Sequence, residues 1–256
     1  MSKIHFLLAA FLVIVGPSYA AGQAVSALNG MAAIEAGSVS LAGRSSAAGA
    51  LHGTITTPIG ESFGFQADGL AATAYSSFLG GGGAHFFWRD PQIGLVGPTA
   101  AMIGGRGTRI GWYGGEGELY AGVVTLAALA GYQDTVTSSN KGVSGGFYQG
   151  RLTLYPIPDL ALTLRGGQMA GAALGAAQIA YQPTFERMHN MAFFVSGAVG
   201  DSSFYKVTTG VQFYFGTDKT LIRRHREDDP LPTGESFAAS GWNGLAAELG
   251  SAGSSY

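Results

Sequence analysis

The feature that most constrains this chain is an alternation of apolar with polar or small residues that keeps returning along its length. Tyr205, Val207, Thr209, Val211, Phe213 and Phe215 alternate with Lys206, Thr208, Gly210, Gln212 and Tyr214. Leu160, Leu162 and Leu164 alternate with Ala161, Thr163 and Arg165. Leu152 and Leu154 alternate with Arg151, Thr153 and Tyr155, and Phe63, Phe65 and Ala67 with Gly64, Gln66 and Asp68. A period of two puts each set on its own face of a β-strand. Divided at its turn signals, the sequence predicts twelve strands, with ten to twelve consistent with the pattern. They fall near 28–36, 47–57, 62–73, 82–89, 94–103, 109–120, 123–133, 143–155, 160–170, 172–182, 191–200 and 204–215. The weakest are the first, the fifth, which contains Pro98, and the Ala/Gly-rich tenth. Most have about the 9–11 residues that a tilted strand needs to cross a bilayer.

The charges say which face meets which solvent. Between Ala21 and Phe215 there are 9 basic and 10 acidic residues. Eleven lie in or beside connections and eight on strands, namely Glu35, Asp68, Arg89, Glu116, Glu118, Arg151, Arg165 and Lys206. In most of these strands the charge has the parity opposite to the large apolar residues: Arg165 opposes Leu160, Leu162 and Leu164, and Lys206 opposes Val207, Val211 and Phe213. A charge facing lipid at mid-bilayer costs about 2–4 kcal/mol, so a membrane barrel keeps its charges inside. A soluble sandwich puts its charge outside, and nineteen charges are thin cover for a surface of 195 residues. The fold expected is all-β, an antiparallel up-and-down transmembrane β-barrel over residues 21–216 of about twelve strands. A soluble periplasmic β protein is the competing reading.

Composition removes other classes. Charged residues make up 12% of the chain, about half the share of an ordinary soluble domain. The absence of cysteine excludes a disulfide scaffold, a thiolate zinc site and a cysteine nucleophile. A net charge of −2 leaves no electrostatic footprint for nucleic acid.

Residues 1–20 read as a secretory signal. Lys3 precedes the apolar run Phe6 to Val15, Gly16-Pro17 ends it, and Ser18-Tyr19-Ala20 supplies a small-residue cleavage site. Ten apolar residues are too few for a spanning helix, which needs about 18–20. With the mature N-terminus in the periplasm, alternate connections fall on opposite sides. Pro58–Glu61, Asp90–Gln92, Ala121-Gly122 and Pro156–Asp159 are short periplasmic turns, and Pro183–Asn190 is a longer one. Gly37–Ser46, Tyr75–Gly81 and Asp134–Gly142 are the expected longer extracellular loops. Gly80–Gly83 and Gly104–Gly107 lack the Lys-Ser/Thr of a phosphate loop and read as flexible loop apices.

The final strand carries a resemblance. Thr208, Gly210, Phe213 and Phe215 fill a polar-x-Gly-x-x-aromatic-x-aromatic pattern that resembles the closing strand of bacterial outer-membrane barrels. The stretches Gly81–Pro91 (GGGAHFFWRDP) and Leu221–Pro230 (LIRRHREDDP) resemble a family of uncharacterised porin-like exported proteins. The resemblance implies an outer-membrane location, contact with outer-membrane lipid and recognition of that strand by the barrel-assembly machinery. Such barrels usually end at the terminal aromatic, whereas 41 residues follow Phe215 here.

The chemistry-bearing residues point to a lumen. Asp68, Glu116, Glu118, Arg151, Arg165 and Lys206 are the expected pore-lining set, ordering water and selecting small solutes if the lumen is open, or pairing to fill it if it is narrow. The pairing reading, with a small or absent pore, is the one favoured. His52 and His85 share the lumen parity, His189 falls in a turn and His225 in the tail. No metal-ligand spacing, cofactor motif or Ser–His–acid set is present, so no metal, cofactor or enzyme activity is expected. Residues 217–256 read as a periplasmic extension, partly disordered, with one helical turn expected at 241–249. Its cluster Arg223-Arg224-His225-Arg226 reads either as solvated or as a contact for lipid phosphates or a periplasmic partner. Two functions follow: an outer-membrane barrel with porin-like passive permeability or a structural role, and an exported interaction protein binding through extracellular loops such as Gly37–Ser46.

Overall fold

The computed structural model describes residues 23–105, 107–137, 144–169, 172–185 and 188–228. The signal segment and the expected turn at 241–249 lie outside the described residues. Twelve strands follow one another: β1 (Asn29–Leu41), β2 (Arg44–Ile59), β3 (Phe63–Ala74), β4 (Ser77–Asp90), β5 (Gly94–Gly105), β6 (Thr108–Ala121), β7 (Val124–Thr137), β8 (Ser144–Ile157), β9 (Leu160–Met169), β10 (Ala172–Tyr181), β11 (Met191–Gly200) and β12 (Phe204–Phe215). A single helix, α1 (Leu221–Glu227), comes after them among the described residues. Each strand pairs antiparallel with its chain neighbours. β12 returns to β1, from Gly30 opposite Phe215 to Ser40 opposite Tyr205, so the sheet closes into a barrel without an edge. This is the up-and-down barrel expected from the alternation, with the expected number of strands. The Ala/Gly-rich tenth strand is paired on both sides.

The two faces of the wall follow the alternation. Ile34, Leu51, Phe65, Leu152, Leu164, Val195, Val207 and Phe213 point outward and are exposed, while Glu35, His52, Gln66, Thr153, Thr163 and Thr208 point inward and are buried. Pro98 lies on the outward face of β5. It has no N–H to donate, and the β4–β5 ladder is interrupted beside it, between His85 opposite Thr99 and Trp88 opposite Val96.

The strands run further than expected at the end away from the termini, and the long loops shrink. The predicted loop Gly37–Ser46 is a two-residue turn, Ala42-Gly43, with φ of 48° and 77°. The predicted loop Tyr75–Gly81 is the turn Tyr75-Ser76, at 51° and 56°. Paired positive φ values are those of the primed turns whose twist matches the strands they join. Tyr75 is fixed there by its hydroxyl, which donates to the Arg44 carbonyl at 2.6 Å. Gly80–Gly83 is therefore part of β4, paired to β3 and β5, and no loop apex. The longest connection among those bordered by described strands is at the opposite end, between β10 and β11. It is held inward by Gln182, whose N–H donates to the Asp159 carbonyl at 2.9 Å. Among the described residues the barrel thus has a far end of mostly tight hairpins and an opposite, terminal end where the segments that enter β1 and leave β12 meet the longest connection.

Two facing glycines show why small residues are needed in the wall. Gly114 on β6 and Gly131 on β7 are register partners. A Cβ on either would lie 2.1 Å from a carbonyl oxygen of the neighbouring strand. That is closer than any side chain permits, so only glycine lets the two backbones approach so nearly.

Candidate functional site

The barrel interior is stacked in three layers. The middle layer is a polar belt. Each residue of the predicted lumenal set, Asp68, Glu116, Glu118, Arg151, Arg165 and Lys206, has its side chain on the inward face of its strand. Arg151 donates to Glu118 Oε1 at 2.8 Å, and Lys206 Nζ to Glu35 Oε1 at 2.7 Å. Arg151 stands directly across the sheet from Arg165. Like charges so placed repel, and the Glu118 carboxylate offsets part of that cost at Arg151.

On the opposite wall His85 bridges two acids. Its Nδ1 lies 2.7 Å from Glu116 Oε1 and its Nε2 3.0 Å from Asp68 Oδ2. Gln66 donates to the other Asp68 oxygen at 2.7 Å and accepts from Thr56 at 2.9 Å. One chain of hydrogen bonds therefore links β2, β3, β4 and β6 across the interior. Both imidazole nitrogens are engaged by carboxylates, which leaves His85 no free nitrogen with which to activate the hydroxyl of its register partner Thr99. Among the described residues no group of three or more His, Asp or Glu side chains is arranged to hold a metal ion. His85 was read as lumenal by its parity but was given no part in the charged set, and Glu35 was missing from that set although parity could have found it, since it opposes Ile34. Their partners, on strands distant in the chain, could not be read.

Above the belt, toward the far end, the interior is apolar. Val39, Leu70, Leu79, Ile103, Ile110, Trp112, Phe147 and Phe204 form one buried cluster, with Leu129 and Leu174 packed against it. The Trp112 and Phe147 rings meet at 5.3 Å in a tilted arrangement. Below the belt, at the terminal end, the interior is closed by a different device. Leu221 of α1 is fully buried among Met31, Tyr155, Ala161, Phe194 and Tyr214. The N–H of Leu221 donates to Asp159 Oδ1 at 3.1 Å and that of Ile222 to the Pro158 carbonyl at 3.0 Å.

The basic cluster of the tail anchors this helix. Arg224 is buried. Its guanidinium donates to Gln182 Oε1 at 3.1 Å and Asn190 Oδ1 at 2.8 Å, and lies 4.7 Å from the centre of the Tyr214 ring. Arg226 donates to the carbonyls of Gly122 and Val124 at 2.9 and 2.8 Å and lies over Tyr120 and Tyr155. His225 Nδ1 is 2.8 Å from the Tyr155 hydroxyl. Burial first, then Arg151, Arg224 and Arg226, push its pKa down to about 3, so it is neutral at ordinary pH. Arg223 alone of the cluster points to solvent, paired with Glu227. The expectations of a solvated cluster, or of one reaching lipid phosphates, are therefore corrected for Arg224 and Arg226. Tyrosine rings, rim carbonyls and the Gln182 and Asn190 side chains at the barrel mouth satisfy them instead.

The segments just before β1 and just after α1 are tied together below the helix. Asp228 Oδ1 accepts from Lys219 Nζ at 2.6 Å and from Ser26 Oγ at 2.9 Å. Arg89, 1% exposed, donates to the carbonyls of Ala24 and Asp228 at 3.2 and 2.9 Å. Val25 fills the space against Phe87 and Leu95.

The closing strand has the disposition its pattern implies. Thr208 and Gly210 face the interior, where Thr208 donates to Glu35 Oε2 at 2.8 Å, and Phe213 and Phe215 face outward. No family model matches this sequence, and no curated protein matches it. Solved structures do. The KdgM porin superposes with a TM-score of 0.53 at 12% identity, over 72% of this chain and 99% of its own. The structure titled KdgM porin in complex with disordered oligogalacturonate gives 0.53 at 13%. The NanC porin gives 0.50 at 12%, over 73% of this chain and 99% of its own. The closed twelve-strand barrel is thus the fold of porin structures.

Proposed function

We propose that this chain is a bacterial outer-membrane β-barrel of porin type, a channel without enzymatic activity whose lumen is narrow and closed at both ends in the state seen here. One observation carries the reading: across its middle the wall is apolar outside and charged only inside, with the outward-facing charges Asp90, Arg109 and Asp134 near strand ends, which suits a barrel surrounded by lipid and no water-facing protein of this size. The porin fold supports it. With the termini in the periplasm, the far end is extracellular. The closing strand, Thr208, Gly210, Phe213 and Phe215, is then the segment read by the barrel-assembly machinery, and outer-membrane lipid covers the exposed aromatic and aliphatic face.

The belt sets what the lumen admits. Cationic Arg151, Arg165 and Lys206 stand on β8, β9 and β12, and acidic Asp68, Glu116 and Glu118 on β3 and β6, while Glu35 on β1 pairs with Lys206. Such a division makes a transverse field suited to small polar solutes and ions. Docking through long extracellular loops is disfavoured, since the first two far-end connections are two-residue turns. The test is single-channel recording of the purified mature protein in a planar bilayer, beside membrane fractionation. Discrete steps whose ion selectivity shifts in Arg165→Glu support the reading. A folded, inserted protein that never conducts reduces it to a structural barrel, and recovery in the soluble fraction overturns it.

A further inference from the structure

We infer that α1 is a releasable plug, a gate that the chain itself carries for the periplasmic mouth of its lumen. The inference rests on the permeation reading above and adds a regulation to it.

The architecture separates this closure from the wall. No strand can leave the barrel without breaking ladder hydrogen bonds on both sides, but α1 takes no part in the ladder. It hangs on the tether Gly216–Thr220, which begins at a glycine with φ +113°, a conformation that lets the chain double back from β12 toward the mouth. Among the described residues of the tail, Leu221 alone joins the buried apolar cluster, with Ile222 packed against it.

Most of what holds the helix is directional and polar. Its contacts reach the β6–β7 turn through Arg226, the β8–β9 turn through Leu221 and Ile222, and the β10–β11 connection through Arg224. A fourth site is the clasp of Asp228 with Lys219, Ser26 and Arg89. Hydrogen bonds of this kind exchange for bonds to water at modest net cost, whereas a buried apolar layer does not. The groups left behind, the Gly122 and Val124 carbonyls and the Asn190 and Gln182 side chains, lie at a rim where water can replace the helix. The closure is therefore strong enough to form and weak enough to open.

The chain contains no cysteine, so one introduced thiol reports cleanly. Ser196→Cys places it on the inward face of β11, in the belt above the helix. The experiment compares its rate of reaction with a membrane-impermeant maleimide in the full mature chain and in the same chain carrying Arg224→Gln and Arg226→Gln. Heat-modifiable mobility verifies the folded barrel. Release of the plug is expected to speed labelling by about tenfold or more, the change that follows when opening becomes about 1.4 kcal/mol easier. Equal rates in folded protein overturn the inference. Should the double variant fail to fold, a chain ending at Gly216 takes its place with the same expectations. Bilayer recording of the same proteins separates the two claims. Faster labelling with no conductance keeps the plug and removes the permeation reading. Equal conductance and equal labelling keep the pore and remove the plug.

Discussion

The two ends of the lumen are closed by opposite physics. At the far end the wall closes itself: Leu79, Ile103, Ile110, Trp112, Phe147 and Phe204 come from five strands and interdigitate. At the terminal end a separate segment closes the mouth, and cations anchor it to tyrosine rings and rim carbonyls. The first closure shares the stability of the barrel, while the second has its own. An apolar layer in a channel also resists ions by excluding water, a barrier that lies in the wall and owes nothing to the helix. Two closures of different origin should therefore fail independently.

The largest expected effect lies in the apolar layer. Trp112→Ala removes a ring that is 3% exposed and packed against Phe147. Large-to-small changes of this kind cost about 3–5 kcal/mol, and barrel stability measured by denaturant titration in detergent should fall by that order. The helix anchors should be untouched. A fall in barrel stability no larger than that of an anchor variant would break the contrast between the ends. Next comes Arg224→Ala, which leaves Asn190 and Gln182 without their charged donor. Hydrogen bonds to charged groups contribute about 1.5–3 kcal/mol, and here the loss should appear as helix release, read by proteolysis within 219–226, with the barrel transition unmoved. A matching drop in barrel stability would make the helix part of the same cooperative unit.

Of the two ends, acid should act on the terminal one, since the far-end cluster contains no carboxylate or histidine, and the direction can be worked out. His225 is held down to about 3 in the docked helix by burial and by Arg151, Arg224 and Arg226, with the Tyr155 hydroxyl against its ring. The released helix takes up a proton near the ordinary histidine value of about 6.5. Between those values the released state binds more protons, so docking weakens as pH falls. Glu227 pushes the same way. Burial opposes its charge, but hydrogen bonds from Arg223 and the attraction of Lys219 outweigh that and hold its carboxyl below the ordinary value, so its contribution is also lost in acid. Labelling of the Ser196→Cys thiol, corrected for thiol ionisation with a free cysteine standard, should accelerate from pH 7 toward pH 4 with the barrel intact. His225→Phe, which cannot take the proton, should flatten most of that response, and an unchanged profile would sink the account.

The same contrast explains what could be read from the sequence. The wall was legible because it obeys one local rule: alternation assigns Leu164 to the outer face and Arg165 to the interior without reference to any other strand. It failed where a residue departs from its usual habit. Ala42, Tyr75 and Ser76 adopt positive φ values that such residues seldom show, so tight hairpins read as loops. The belt was legible in membership but not in pairing, because Asp68 and Glu116 meet only through His85. The plug was least legible. Its docking depends on Asp159, Gln182 and Asn190, which share a location at one rim and no pattern in the chain. A short basic run after a final strand looks the same whether it is solvated or buried.

Arg223 gives the smallest effect and the sharpest control. It belongs to the same basic run as Arg224 and Arg226, but its side chain is 58% exposed and its one described partner is Glu227, a turn away on the same helix. An exposed pair at that spacing contributes about 0.3–0.5 kcal/mol. Arg223→Gln removes the same formal charge as Arg224→Gln. If net charge near the mouth held the helix, the two variants would label alike. If particular contacts with the rim hold it, Arg223→Gln should change the Ser196→Cys labelling rate by no more than about twofold, the rate equivalent of that small energy. Parity between the two variants would leave the helix attracted by a diffuse field and end the distinction between a docked plug and a nearby charged tail.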